Sequence, residues 1–274
     1  MPALLFAAAL ALYLPRLSIP PAYMYDEHYH AYTAAQYVAG NHDAYVWYTR
    51  APRSGVAYTW NHPPLGLLFI AGGIELFGDT PFGWRVSSAV VGAVGIVIPY
   101  LLALRLSRDR EAAELTGALL LLDGLYFVQS RTSMLDIFLV TFLMAALLCF
   151  HAYLTAPPGR MRVPLLGTGL FLGLAIATKW SAAYPAVLIG LAVLYRVYRF
   201  ARQSTPDARS SLRAHLVWVP VALGVLPAAI YLAAYIPFFL TGHTFGQFLE
   251  VQRQTYLYHT RLRATHAYQS AWWQ

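Results

Sequence analysis

Charge is what this sequence has least of. Only 11% of its 274 residues are Asp, Glu, Lys or Arg, 58% are hydrophobic, and the mean hydropathy is +0.49. A soluble domain carries roughly 25% charged residues, so the composition excludes a soluble globular protein and describes an integral membrane protein. Cysteine is nearly absent. The single Cys149 rules out an intramolecular disulfide, lies inside an apolar run and says nothing about redox compartment. Lysine is equally scarce, with one residue, Lys179, against 18 arginines. No repeat, heptad or low-complexity tract is present, and the one linker-like stretch is the polar loop from Gln203 to Ser211. The formal charge of +7 would suggest nucleic acid in a soluble protein. In a membrane protein it reflects basic residues collected in cytoplasmic loops, so nucleic acid is not an expected partner and membrane lipid is.

What is present is a series of apolar runs. The first, from Ala3 to about Pro20, reads as a retained anchor, because no basic residue precedes it and no small-residue cleavage site follows. A polar, aromatic segment from Pro21 to Pro64 has the Tyr and Trp content of chain lying at headgroup level. The next apolar stretch, 64–78, is too short for a span of about 20 residues and predicts an interfacial or re-entrant helix. Six further runs follow at 84–104, 112–128, 137–154, 163–179, 181–198 and 215–239. Seven spans result, with 21–83 as a first outer loop, 241–274 as the start of a later one, and 1–274 as a single domain.

Orientation follows from the basic residues. With 64–78 left outside, Arg105, Arg108, Arg110, Arg160, Arg162, Arg196, Arg199, Arg202, Arg209 and Arg213 fall in three short loops on one side, which is therefore cytoplasmic. The consequence is that every chemically interesting stretch falls on the opposite, outer face. These are Asp26-Glu27, Asn61 to Pro64, Arg131 to Asp136, Thr178 to Trp180, and the tail after Leu240.

Asp26 and Glu27 are adjacent carboxylates where the chain leaves the first span, and polar residues at a membrane edge call for a function. Neighbours on a helix lie about 100° apart and cannot both point at one atom. One is expected to be a general base and the other to orient it or the substrate. Arg131 reads either as a structural partner of Asp136 or as a rigid fork for phosphate oxygens. Lys179 reads either as snorkelling to the headgroups or as a point charge for an anion. Together, outer-face cations and a carboxylate suit a reaction on a lipid-linked sugar phosphate. Phosphate leaves as an anion, so one base and a cationic clamp suffice, unlike the two carboxylates of ordinary glycoside hydrolysis. Two other classes compete. A transporter or scaffold subunit would place polar groups near the midplane. A metal site could be built from Asp26, His28, His30 and His62.

Several motifs occur in a recognisable order: Tyr25-Asp26-Glu27, His62-Pro63-Pro64-Leu65-Gly66, Phe82-Gly83-Trp84-Arg85, Leu122-Asp123-Gly124, Gln129-Ser130-Arg131 through Leu135-Asp136, Lys179-Trp180-Ser181, Tyr258-His259, Thr265 to Tyr268 and Trp272-Trp273. The chain resembles the protein O-mannosyltransferase family, all-α polytopic glycosyltransferases of the GT-C fold. The resemblance implies an inverting transfer of mannose from a polyprenyl- or dolichyl-phosphate carrier to Ser or Thr hydroxyls. The acceptors would be secreted or membrane proteins, with coupling to the translocation machinery. It implies Asp26 as base with Glu27 beside it, and Arg131, Lys179 and His62 around the donor phosphate. Asp136, Trp180, His266 and Tyr268 would contact substrate. The active site would lie on the outer face of a bacterial plasma membrane. No cofactor is required, and a divalent cation is left room, with His28 and His30 as the ligand candidates. The chain departs from the family pattern at Leu67, where a basic residue is usual, and at Ala267, where proline is usual. It also stops at Gln274, where family members continue through further spans. The alternative within enzymes is a related lipid-phosphate-sugar transferase with lipid A or a glycan as acceptor.

Overall fold

Polar side chains cap the starts of five helices. In the computed structural model, which describes residues 1–262 apart from 158 and 204, all regular structure among the described residues is helical. Helix α1 (Pro2–Tyr13) leads through an extended strap into a tight turn, Tyr25–His28, and then α2 (His30–Val38). Helix α3 (Leu65–Phe77) follows the His-Pro-Pro sequence. Thr80 then caps α4 (Pro81–Ser107), with Pro81 in its first turn, where its missing N–H is no loss. Asp109 caps α5 (Arg110–Leu121), and Asp123 caps α6 (Gly124–Ser130) by accepting from the Tyr126 N–H. Helices α7 (Leu135–Thr155), α8 (Arg162–Ile176) and α9 (Ala183–Ala201) follow. Helices α10 (Pro206–Pro220) and α11 (Leu226–Ala234) are joined by a wide turn at Val221–Val225. The chain closes with α12 (Ile236–Leu240) and α13 (Phe245–Arg261), the latter opened by a reciprocal Thr244–Gln247 capping box.

Among the described residues, four stretches are long and apolar enough to cross a membrane: Pro81–Ser107, Leu135–Thr155, Trp180–Ala201 and Ala208–Ala234. Pro2–Tyr13, Leu65–Phe77 and Arg162–Ile176 are apolar but shorter. Two of the apolar runs differ in detail from the single helices expected of them. The first run ends its helix at Tyr13, because Arg16 takes a positive φ of 55° and turns the chain. The run at 112–128 is two helices, because the carboxylate of Asp123 starts a new one. The 64–78 segment is the short helix α3. At 1.5 Å per residue its 13 residues cover about 20 Å, against about 30 Å of hydrocarbon.

Helix α4 is the hub, touching α1, α3, α5, α6 and α7, while α7 and α8 form the most extensive helix pair. The α3–α4 contact is backbone to backbone. A Cβ on Gly73 would run into the Gly83 carbonyl, which is why small residues face each other there. A separate core, built around Tyr153, Leu165, Val193 and Ala222, joins α7 to α10. At that end the Arg196 guanidinium donates to the Leu154 carbonyl, and Arg162 stacks over Trp218. The arginine-rich helix ends therefore gather at one pole, and Asp26, His62, Asp136 and Lys179 gather at the other.

Candidate active site

The site is built on a fully buried ion pair that composition would not suggest. Arg85, in the first turns of α4, is 1% exposed, and Glu27 is 0% exposed. All five guanidinium protons are used. Nε and Nη2 grip the two Glu27 oxygens at 2.8 and 2.7 Å; Nη2 also reaches the Ala22 carbonyl, and Nη1 reaches those of Leu17 and Pro20. Glu27 is equally occupied. It accepts from the backbone N–H groups of Met24 and Ser133, both at 2.9 Å. Ser133 in turn donates its hydroxyl to the Trp84 carbonyl at 2.7 Å. One knot thus joins the strap after α1, the Tyr25–His28 turn, α4 and the α6–α7 connection. The turn is strained, with Tyr25 at a φ of 49°, and the Met24–Glu27 hydrogen bond holds it.

That strain delivers Asp26 to the surface. Its side chain lies on a cleft of about 510 Å³, exposed, with no donor or cation on its carboxylate among the described residues. The adjacent carboxylates therefore part completely, one into the frame and one into the cleft. His30, Trp60, His62, Tyr258 and His259 are among the other lining residues. Helix α13 forms the far wall, docked where His259 Nε2 donates to the Asn61 carbonyl at 2.9 Å and Thr255 to that of Trp60 at 3.4 Å.

Burial disfavours the charged forms of His30 and His62. Burial lowers the pKa of His62 to about 3, with Lys179, His30 and His259 adding to the effect. Burial also lowers that of His30, against the opposing pull of Asp26. His30 Nδ1 donates to the Ser133 carbonyl at 3.2 Å, and His28 Nδ1 lies 3.0 Å from the Gly55 carbonyl. The two candidate ligands thus use different carbonyls, and no cluster of three His, Cys, Asp or Glu able to hold a metal occurs among the described residues.

The cations need correction. Arg131 is not among the residues that line the cleft, and Asp136 is paired with Lys179 instead. Its guanidinium reaches back to the C-terminal end of α1 and caps the carbonyls of Leu12, Tyr13, Pro15 and Arg16. The Leu12 and Tyr13 carbonyls are orphan acceptors at the end of α1, and a cation there is favoured by the helix dipole. Asp136 instead binds Lys179, Nζ to Oδ1 at 2.8 Å, in a pair 27% and 40% exposed. Lys179 adjoins the cleft closely enough to depress both His30 and His62. Trp180 turns away and donates to Tyr231, which donates on to Gln252 of α13, so it braces the cleft wall from behind His259. His266 and Tyr268 lie outside the described residues. Sequence reasoning assigned no role to Arg85 or His259. Both stand in quoted motifs, and the one available signal was a lone arginine in the first turns of an apolar helix.

A helical membrane frame with a polar cleft at one pole belongs to the GT-C class of membrane glycosyltransferases, and solved structures agree. The Saccharomyces cerevisiae protein O-mannosyltransferase Pmt1-Pmt2 complex bound to the sugar donor matches 88% of this chain with a TM-score of 0.73 at 24% identity, over 33% of its own chain. ArnT from Cupriavidus metallidurans bound to undecaprenyl phosphate matches 85% of this chain, and 41% of its own, with a TM-score of 0.62 at 22% identity. Residues 3–242 match the model of the dolichyl-phosphate-mannose-protein mannosyltransferase family, and the chain belongs to that family. The polyprenol-phosphate-mannose–protein mannosyltransferase of Mycolicibacterium smegmatis is 36% identical over 65% of this chain and 39% of its own length. The chain thus spans about two fifths of the curated relatives' length.

Proposed function

We propose that the protein carrying this chain transfers mannose from a polyprenyl-phosphate carrier to Ser or Thr hydroxyls of proteins, on the outer face of the membrane. Asp26 is the general base. It accepts the hydroxyl proton as the acceptor oxygen attacks C1 of the sugar, and the C1–O bond to phosphate breaks with its electron pair going to the carrier. Attack opposite the phosphate inverts the configuration at C1. Lys179, beside the cleft, takes up the charge of the departing phosphate, the role of a compact ammonium. Arg131 has no part in that clamp. No step calls on a cofactor. The acceptor is a secreted or membrane protein, which the cleft would meet as it leaves the translocation machinery.

The observation that carries the reading is Asp26, an exposed carboxylate on the cleft, next in sequence to a carboxylate fully engaged in the frame. The test supplies membranes carrying the protein with labelled polyprenyl-phosphate mannose, and a Ser/Thr-rich peptide or lipid A as acceptor. Label on the peptide supports the proposal. Label on lipid A alone, or turnover undiminished in Asp26→Asn, overturns it.

A further inference from the structure

Two of the polar groups that line the cleft, on His30 and Asp26, are acceptors only. A backbone carbonyl can only accept, so the His30 Nδ1 that contacts the Ser133 carbonyl must carry the ring proton. The imidazole is neutral in its buried site, and Nε2 therefore presents a lone pair. That atom has no protein partner among the described residues, and His30 lines the cleft. Asp26 faces the same cleft, and an ionised carboxylate is acceptor-only. Two acceptors cannot satisfy each other. Nor can either bind a phosphate, whose oxygens are acceptors as well. A ligand that satisfies these two groups brings O–H donors to both, which is the chemistry of a sugar.

We propose that His30 Nε2 accepts a hydrogen bond from a hydroxyl of the donor sugar, and that the His30 end of the cleft is the sugar subsite, with the phosphate directed toward Lys179. The inference rests on the proposed glycosyl transfer and deepens it. It also gives the buried pair a role at a distance. Arg85 fixes Glu27, Glu27 fixes the N–H of Ser133, and the Ser133 carbonyl selects the His30 tautomer. Ser133 and Glu27 are positioning residues, and His30 is the group that touches substrate.

The experiment is a cycle between His30 and the donor hydroxyls. Binding of polyprenyl-phosphate mannose and of its 2-, 3-, 4- and 6-deoxy analogues is measured for the parent, His30→Leu and His30→Gln, by ligand-induced thermal stabilisation, which needs no turnover. A neutral hydrogen bond is worth about 0.5–1.5 kcal/mol, so His30→Leu should weaken the full donor roughly 3- to 10-fold. Glutamine, which can place an amide oxygen near Nε2, should restore part of that loss. With one deoxy donor, His30→Leu should make no further difference, because the partner hydroxyl is already gone. Losses that add for all four deoxy donors overturn the inference, as does a His30→Leu variant that binds the full donor like the parent and loses only thermal stability. A parent that binds the donor but transfers nothing to peptide overturns the functional proposal alone, and the binding cycle is still read.

Discussion

Glu27→Gln separates a frame carboxylate from a catalytic one. The substitution keeps size and shape, removes the charge, and replaces one acceptor oxygen with an NH₂ donor. Whichever way the amide is turned, that donor meets another. On one side lies Arg85 Nη2 with the Met24 N–H, on the other Arg85 Nε with the Ser133 N–H. The Arg85 guanidinium, 1% exposed, then loses its only counterion among the described residues. Removing one partner of a buried ion pair typically costs about 3–5 kcal/mol, because the remaining charge stays desolvated. Arg85→Lys should cost a similar amount, since one ammonium cannot serve five acceptor contacts arranged around a planar fork. The assay is thermal unfolding of purified protein in detergent or nanodiscs, read alongside donor binding. Both variants should unfold well below the parent. If Glu27→Gln instead unfolds with the parent and loses only turnover, Glu27 acts on the substrate and the frame assignment is wrong.

Asp26→Asn should do the reverse, lowering transfer by about 10²–10⁴-fold while unfolding with the parent, as expected for loss of a general base; a stability loss with normal turnover would refute the base assignment. Arg131→Ala should cost stability, about 1.5–3 kcal/mol for the charged contacts to the end of α1, and leave donor affinity unchanged. Lys179→Ala should show the opposite balance, because its pair with Asp136 is partly exposed and worth only about 0.2–1 kcal/mol; donor affinity should fall about 10- to 100-fold if the ammonium meets phosphate. Acid should destabilise the cleft. His62 has a pKa of about 3 in the fold, so between there and its ordinary 6.5 the unfolded chain binds the extra proton. Stability therefore rises with pH in that window, and moving from pH 7 to 5 should remove up to about 2 kcal/mol through His62, a share of the pH dependence that His62→Gln removes while that of His30 stays.

The class of the protein, the short helix at 64–78 and the gathering of Asp26, His62, Asp136 and Lys179 at one pole were legible in sequence, because hydropathy and basic-loop asymmetry are properties of the chain in order. The cations were not. Arg131 stands close to Asp136 in sequence, yet its side chain reaches the end of α1 more than a hundred residues earlier. Nothing local distinguishes a helix-capping arginine from a phosphate-binding one. The apolar run at 112–128 misled for another reason. Hydropathy averaged over Asp123, whose carboxylate caps a new helix at Gly124 and so breaks the run in two. Arg85 was quoted within a motif but given no role, since burial is a property of what packs around a residue.

The neighbouring carboxylates explain why this region tolerates an unpaired charge at a membrane edge. A carboxylate left free on a flexible segment would turn toward whatever cation lay nearby, and Arg85 is the nearest buried one. Because Glu27 saturates that guanidinium, no donor of Arg85 is left over for Asp26. The same pair fixes the backbone on both sides, through Met24 N–H before the strained Tyr25 and through Ser133 N–H across the knot. Asp26 is thereby held in direction and denied a partner at once. Arg131 and Lys179 are likewise split by geometry, one closing the end of α1 and the other left beside the cleft with a partly exposed, replaceable partner. Each pair of like-charged residues that looked interchangeable in sequence divides into one member that builds the frame and one that faces the ligand. Preorganisation of this kind places the reactive groups without spending substrate binding energy on ordering them.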